Sequence, residues 1–255
     1  MIGEPLGKPT APPAAVVLAG GFGTRLRGVL SDLPKPMAPV LGRPFVEWII
    51  LSLRAAGVND FVLSTGYLAE KIASHFEHQC PPGTRVQCIE EDSPLGTAGG
   101  FIHAATSSGL HPTVWLVCNG DSAFSAPLEP AFAAMADPFT DGVVLSLWQN
   151  DASRYGSLDI AADDLLRGFV EKRPGAAWIN AGVYLFRSSL LSEFPTSRPL
   201  SFEVDVFPHL LASGKRFRVV RIEGNFLDIG LPESLALADG FIEANAAAFQ
   251  VSHQK

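Results

Sequence analysis

Cysteine is scarce in this chain of 255 residues, and it is not arranged for metal binding. The three cysteines, Cys80, Cys88 and Cys118, form no CxxC pair and no other spacing typical of zinc ligands. The pattern argues against a zinc-stabilised or disulfide-stapled fold. Because no charged, apolar and small-residue signal precedes these cysteines, we expect a reducing, cytoplasmic compartment.

An excess of positive charge and a long apolar run are also missing. The chain carries 19 lysines and arginines against 26 acidic residues, a net charge of −7, which argues against binding to nucleic acid or to an anionic membrane. Apolar runs such as residues 114–118 are far shorter than the ~20 residues of a membrane span. With 47% hydrophobic residues, the chain can instead bury a sizeable core.

Short apolar runs alternate with amphipathic stretches in the first half of the chain. Strand-like runs lie at 15–18, 61–64, 86–89 and 114–118, and helix-like stretches lie between them at 45–56, 69–76 and 98–105. This alternation predicts an α/β fold with a mainly parallel sheet covered by helices on both faces.

Beyond residue 141 the pattern changes to strand-like pieces with few helices. These pieces lie at 143–147, 156–160, 166–171 and 181–186, and a closing helix is predicted from about Pro232 to Ala248. We expect mixed β structure over the same sheet. Since no Gly- or Ser-rich linker divides the chain, we predict a flexible leader at 1–13 and a single domain at 14–245, with halves at 14–121 and 122–245.

Three glycines, Gly20, Gly21 and Gly23, follow the first predicted strand directly. Bare backbone at a strand end lets N–H groups approach an anion, which is typical of a phosphate-binding loop. The loop lacks the Gly-Lys-Ser/Thr ending of a P-loop and the spacing of a dinucleotide-binding GxGxxG. A simple glycine turn after a strand remains the alternative.

Cations near this loop favour the phosphate interpretation. Arg25, Arg27 and Lys35 follow the glycines, and a polyanion held by backbone donors still needs positive charge. Pro34 and Pro36 stiffen the backbone on both sides of Lys35, which suits a lysine that must point into a site. Asp121 follows a fourth strand, so it is expected in the same crevice at the carboxyl ends of the strands.

Several motifs together resemble the signature of the sugar-1-phosphate nucleotidyltransferases. They are Gly20-Gly21-Phe22-Gly23-Thr24-Arg25-Leu26, Pro34-Lys35-Pro36-Met37, Pro94-Leu95-Gly96-Thr97-Ala98-Gly99, Asn119-Gly120-Asp121, Glu171-Lys172, Asn180-Ala181-Gly182 and Asp228-Ile229-Gly230, all in that family's order. The residues at 27–33 and 37–45 are similar to those of one branch of this family, the D-glycero-D-manno-heptose 1-phosphate guanylyltransferases.

The resemblance implies a Rossmann-like three-layer α/β/α nucleotidyltransferase fold, with nucleotide bound by residues 14–121 and sugar phosphate by residues 122–245. It implies that Arg25, Lys35 and Lys172 are catalytic and that Mg²⁺ is the cofactor. The implied nucleotide-binding residues are Leu18, Ala19, Gly20, Gly21, Gly23, Thr24, Arg25, Glu91, Pro94, Gly96, Thr97 and Gly120. The implied sugar-phosphate-binding residues are Gly156, Glu171, Lys172, Asn180, Gly182 and Glu203.

Two aspartates are the candidates for holding the metal. Asp121 lies at a strand end and Asp228 lies in a Leu-Asp-Ile-Gly turn, and Mg²⁺ takes a few carboxylates together with phosphate oxygens and water. Both match the family's metal aspartates. Either could instead merely cap a turn.

Glu91 predicts which nucleotide base the protein binds. It resembles the position at which family members contact the base. A carboxylate accepts two hydrogens only from a base with adjacent donors; guanine offers N1–H and N2–H₂, whereas thymine and uracil suit an amide better. Glu91 therefore favours GTP, with an ordinary solvated acidic turn at residues 90–92 as the alternative.

The predicted reaction is Mg²⁺-dependent guanylyl transfer from GTP to heptose 1-phosphate, giving a GDP-heptose for bacterial surface polysaccharide. Mannose 1-phosphate with GTP, or glucose 1-phosphate with another triphosphate, are alternatives, and a homodimer is compatible with the resemblance. The sequence Glu171-Lys172-Arg173-Pro174 carries an insertion relative to the family's Glu-Lys-Pro. A non-enzymatic subunit that senses nucleotide sugars is the alternative of another class; it would have no reason to keep both aspartates and all three cations.

Overall fold

A computed structural model describes residues 13–26, 28–30, 32–170, 172 and 174–250. The described helices and strands all lie within these residues. Most of residues 1–13, together with Arg27 and Glu171, lies outside the described part, so the predicted leader and the predicted role of Glu171 stay predictions.

A nine-stranded sheet forms the centre of the fold. Along its main path the order is β10-β9-β11-β6-β1-β4-β5, and β8 pairs with both β11 and β12. Two small two-stranded sheets, β13 with β7 and β2 with β3, lie beside it. The strands are β1 (Ala14–Ala19), β2 (Pro39–Val40), β3 (Arg43–Pro44), β4 (Asp60–Thr65), β5 (Arg85–Glu90), β6 (Val114–Asn119), β7 (Ser122–Ser125), β8 (Gly142–Gln149), β9 (Ser157–Ile160), β10 (Leu166–Val170), β11 (Ala177–Arg187), β12 (Phe217–Ile222) and β13 (Asn225–Asp228).

Helices cover both faces of this sheet. They are α1 (Phe45–Ala55), α2 (Ala69–His78), α3 (Thr97–Ser107), α4 (Glu129–Met135), α5 (Phe207–Ala212), α6 (Pro232–Leu235) and α7 (Ala238–Ala244). Successive side chains of a strand point to opposite faces, and β1 shows this clearly. Val17 packs in one apolar cluster with Ile49 of α1, whereas Val16 packs in the other with Phe101 of α3. The predicted three-layer α/β fold is confirmed.

The strand directions follow the change seen in the sequence. β1 pairs in parallel with β4 and β6, and β4 pairs in parallel with β5. The long strand β11 then runs antiparallel to β6 and brings the second half of the chain into the same sheet. The carboxyl ends of β1, β4 and β6 thus meet at one edge, and the segments that follow them share a crevice.

No described helix is long and apolar enough to span a bilayer.

The predicted closing helix, Pro232 to Ala248, is wrong in its extent. The structure has two shorter helices, α6 and α7, with a turn between them. The N–H of Leu237 bonds to the carbonyl of Ser234, three residues back, and the four-residue spacing resumes only when the N–H of Phe241 bonds to Leu237. Beyond α7 the N–H of Ala248 again bonds three residues back, so the helix is not continued.

Candidate active site

A cavity of about 540 Å³ opens at the carboxyl ends of β1 and β6. Most residues predicted to bind nucleotide line it, which brings together the glycine loop, the base position and one metal candidate. The lining residues are Leu18, Ala19, Gly20, Gly21, Phe22, Gly23, Thr24, Arg25, Lys35, Pro36, Glu91, Pro94, Gly96, Thr97, Asn119, Asp121 and Gly230. Gly120 instead lies behind the lining, with its N–H bonded to the carbonyl of Leu18 at 2.8 Å.

The glycine loop leaves its backbone open to the cavity. A Cβ on Gly21 would meet no atom within 4 Å, so the space beside its backbone is free for a ligand. Gly23 has a φ of +55° and its missing Cβ would lie 3.2 Å from Cβ of Lys35, so this position brings the loop close against the lysine. The N–H of Leu26 bonds to the carbonyl of Gly23, which closes a short turn and leaves Arg25 exposed at the cavity.

Lys35 joins the two metal candidates. Its Nζ lies 2.5 Å from Oδ2 of Asp121 and 3.6 Å from Oδ1 of Asp228, and its side chain is only 13% exposed. Asp228 reaches this point because β13 pairs with β7, directly after Asp121, and the N–H of Ile229 bonds to the carbonyl of Asp121. Two carboxylates that share one cation are a donor set suited to a hard ion such as Mg²⁺. The residues present therefore fit the metal that the family implies.

Glu91 is held at the cavity by its own hydrogen bonds. Its Oε1 accepts from Oγ of Ser64 at 2.7 Å, and its Oε2 accepts from the N–H of Leu95 at 3.1 Å. A Cβ on Gly100 would lie 2.5 Å from Oε1, so a larger residue at this position would displace the carboxylate. Each oxygen keeps a further lone pair, and the side chain is oriented before any ligand arrives. Within the segment 90–92, Glu91 is held at the cavity, whereas Glu90 and Asp92 are exposed.

The loop after Glu91 is bonded to a segment from the second half of the chain. Leu200 donates to the carbonyl of Leu95 at 2.8 Å, and its own carbonyl accepts from the N–H groups of Ala98 and Gly99. The N–H of Phe202 donates to Oγ1 of Thr97 at 3.2 Å. The nucleotide-side loop and segment 200–202 thus form one hydrogen-bonded unit.

A side-chain network occupies the predicted sugar side. The amide of Asn180 donates to the hydroxyl of Tyr184 at 2.7 Å and to Oε1 of Glu203 at 3.3 Å, and the Tyr184 hydroxyl donates to the same Oε1 at 2.8 Å. Oγ of Ser201 donates to the other oxygen of Glu203. Burial first, and the negative charge of Glu203 second, raise the pKa of Tyr184 well above 10. The phenol therefore remains a hydrogen-bond donor to Glu203 at physiological pH.

Three further described residues were predicted to bind the sugar phosphate: Gly156, Gly182 and Lys172. Gly182 has a φ of +65° and packs against Asn119, which itself lines the cavity. The carbonyl of Gly156 accepts from the N–H of Asn180 at 2.8 Å, so its role in the structure is to join β9 to β11. Lys172 is exposed to solvent and lies outside the residues that line the cavity.

Four supporting residues were not predicted from the sequence: Ser64, Asn119, Tyr184 and Ser201. Ser64 carried a signal, because it is a polar residue that follows the apolar run 61–63 near the carboxyl end of a strand beside β1. Tyr184 carried none, since an aromatic residue in a buried strand is typical of a core.

The chain is similar to several known proteins. Residues 14–245 match the model of a family described as nucleotidyl transferase. A mannose-1-phosphate guanylyltransferase of Mycobacterium tuberculosis is 32% identical over 86% of this chain, which spans 61% of that relative's length. A D-glycero-alpha-D-manno-heptose 1-phosphate guanylyltransferase of Campylobacter jejuni is also 32% identical over 86% of this chain, and here the alignment spans 95% of the relative.

A solved structure shares the fold. The crystal structure of HddC from Yersinia pseudotuberculosis complexed with GMP-PN superposes with a TM-score of 0.76 at 32% identity, covering 89% of this chain and 98% of that chain.

Proposed function

Because the chain belongs to the nucleotidyl transferase family, we propose that it transfers a guanylyl group from GTP to a sugar 1-phosphate. The observation that carries the choice of base is the carboxylate of Glu91, held at the cavity by Ser64 and Leu95. Guanine presents N1–H and N2–H₂ side by side, and an oriented carboxylate accepts both.

The proposed reaction needs no protein nucleophile. A phosphate oxygen of the sugar 1-phosphate attacks the α-phosphorus of GTP, a new phosphorus–oxygen bond forms, and the bond to the β-phosphate oxygen breaks. The electron pair leaves with pyrophosphate. Such a transfer depends on aligning two polyanions and on screening their charge.

The nucleotide-side residues take up the triphosphate in this proposal. Backbone N–H groups at Gly20, Gly21 and Gly23 face the phosphates, and Arg25 stabilises the departing pyrophosphate. Lys35 contacts the reacting phosphates. Lys172 holds the phosphate of the sugar, which requires its exposed side chain to turn towards the cavity when that substrate binds.

Asp121 and Asp228 would hold Mg²⁺ in this proposal. When bound there, the ion supplies a positive charge that screens the phosphates and polarises the attacked phosphorus. The two carboxylates contribute the negative charge that brings a divalent cation to this edge of the cavity, and Ser122 holds Asp121 by donating to its Oδ1 at 3.1 Å.

For the sugar we propose D-glycero-D-manno-heptose 1-phosphate, with a GDP-heptose for bacterial capsule or lipopolysaccharide as the product. Two relatives named D-glycero-alpha-D-manno-heptose 1-phosphate guanylyltransferase, from Campylobacter jejuni and Aneurinibacillus thermoaerophilus, are aligned over 95% and 94% of their lengths, which supports this choice. Mannose 1-phosphate is the second candidate, because the mycobacterial enzyme is equally identical at 32%. We further propose a cytoplasmic location and a homodimer; size-exclusion chromatography with light scattering tests the dimer.

A panel of substrates tests the proposal. Pyrophosphate release is measured for GTP, UTP, dTTP and CTP, each with heptose, mannose and glucose 1-phosphates and with Mg²⁺. We expect turnover with GTP and heptose 1-phosphate to exceed that of every other pair. Turnover with UTP or dTTP but not GTP would overturn the role of Glu91, and no turnover with any pair would favour the nucleotide-sugar-sensing alternative.

A further inference from the structure

The ammonium of Lys35 occupies the point where the two metal candidates converge. Nζ lies 2.5 Å from Asp121 and 3.6 Å from Asp228, whose side chains are 37% and 29% exposed. An ammonium ion at this distance donates directly to carboxylate oxygens. In the free protein, therefore, an internal cation already neutralises part of the charge that a divalent ion would neutralise.

The backbone of Lys35 is fixed, whereas its side chain has four rotatable carbon–carbon bonds. Pro34 and Pro36 set the local backbone, the residues 35–37 form a short helical turn, and Cβ of Lys35 packs against Gly23. The four-carbon side chain that extends from this anchor can turn between the carboxylates and the glycine loop. The same amine can thus reach either the carboxylates or the phosphates.

We propose that in the free protein the ammonium of Lys35 occupies the position of the divalent metal between Asp121 and Asp228. The ammonium leaves this position when the nucleotide binds. The inference rests on the proposed function, because it takes Asp121 and Asp228 as the metal carboxylates. Mg²⁺ binds carboxylate oxygens at about 2.0–2.1 Å, so an ammonium at hydrogen-bond distance from the same oxygens competes with it sterically and by charge repulsion. The phosphates of GTP offer the ammonium a new anionic partner.

Two consequences follow from this competition. The free protein binds divalent metal weakly, and metal and nucleotide each raise the affinity for the other because both changes require the same movement of Lys35. Metal then enters the site together with the triphosphate. Before substrate binds, the ammonium of Lys35 reduces the electrostatic repulsion between the two carboxylates.

Mn²⁺ binding to the nucleotide-free protein tests the proposal without any turnover. Free Mn²⁺ is followed by electron paramagnetic resonance for the wild type, Lys35→Met, Lys35→Gln and Lys35→Arg. We expect Lys35→Met and Lys35→Gln to bind Mn²⁺ at least about 10-fold more tightly than the wild type, and Lys35→Arg, which keeps the cation, to stay weak. Lys215→Met removes an exposed lysine paired with Glu193 and is the matched control, with wild-type affinity.

The remaining outcomes separate this proposal from the proposed metal site. Adding Asp121→Asn to Lys35→Met should abolish the gain in Mn²⁺ affinity. If the wild type and both neutral variants bind equally, and Asp121→Asn removes that binding, the metal site stands and the place-holding role of Lys35 falls. If no variant binds Mn²⁺ even with GTP present, the metal site itself is wrong. Circular dichroism of each variant checks that it is folded.

Discussion

The predicted nucleotide side, which lines the cavity, and the predicted sugar side, whose network lies outside that lining, hold polar groups in different ways. On the nucleotide side, bare backbone from one short loop, Gly20 to Gly23, faces the space for the ligand. On the sugar side, Asn180, Tyr184 and Glu203 hold one another through side-chain hydrogen bonds. The first arrangement depends on contiguous residues, whereas the second depends on strands and turns that the fold brings together. Substitutions on either side, or where the two sides meet, should therefore have different effects on the two substrates.

The largest effect is expected where the two sides meet, at Asp121. Asp121→Asn removes one carboxylate from the proposed metal pair and should lower kcat with Mg²⁺ by about 1000-fold, because charge stabilisation at the transferred phosphate is lost. Initial rates of pyrophosphate release measure this. Asp163→Asn, which removes the same charge from an exposed position, should leave the rate unchanged. Equal rates for wild type and Asp121→Asn would contradict the metal role.

On the nucleotide side, Glu91→Gln should change the choice of base. An amide replaces one acceptor by a donor, so kcat/KM for GTP should fall about 100-fold while that for UTP or dTTP rises, each lost hydrogen bond to a charged group contributing about 1.5–3 kcal/mol. Competition between GTP and UTP measures the ratio. Glu90→Gln, at an exposed neighbouring position, is the control. An unchanged ratio in Glu91→Gln would show that another group reads the base.

On the sugar side, Tyr184→Phe should act on one substrate only. Loss of the hydroxyl removes the 2.8 Å donor to Oε1 of Glu203 and leaves that carboxylate held only by Asn180 and Ser201, so KM for the sugar 1-phosphate should rise about 10-fold. KM for GTP should stay within about 2-fold, since the nucleotide side does not contain this residue. Steady-state kinetics with each substrate varied in turn makes the comparison, and equal rises in both KM values would point to a general loss of structure.

The same substitution has a pH signature. An unburied tyrosine has a pKa of about 10, and burial raises the pKa of Tyr184 in the folded protein well above that value. Its contribution to the free energy of unfolding is therefore complete below pH 10 and is lost as the pH rises from 10 through the folded pKa. Urea unfolding at pH 8 and above pH 10 should show a smaller alkaline loss in Tyr184→Phe than in the wild type.

The smallest effect is expected at the junction, from Thr97→Val. Valine keeps the shape of threonine but cannot accept the hydrogen bond from Phe202, next to Glu203. Three other hydrogen bonds between the loop and Leu200 remain, so KM for the sugar 1-phosphate should rise only about 3- to 5-fold, as expected for one neutral hydrogen bond. Thr97→Ser keeps the acceptor and should behave as wild type. A rise for GTP alone would place Thr97 in the nucleotide contacts instead.

The sequence predicted the parts of this protein that are contiguous in the chain. A strand at 15–18, the glycine loop and Pro34-Lys35-Pro36 could be predicted because backbone geometry and local charge depend on near neighbours; the structure extends this strand to Ala14–Ala19. The family and the three-layer α/β fold were confirmed. The closing helix was overextended, since an apolar pattern cannot show that Leu237 bonds three residues back rather than four.

The sequence alone therefore determined the fold class and the family, and it predicted a phosphate-binding loop with its cations. Only the tertiary structure decided that Lys35 meets Asp121, 86 residues away, that Ser64 and Leu95 orient Glu91, and that Tyr184 supports Glu203. Contacts of this kind depend on the order of strands in the sheet, with β6 between β1 and β11. A hydrogen bond needs its two atoms within about 3 Å, and that distance is fixed by packing between segments that are far apart in the chain.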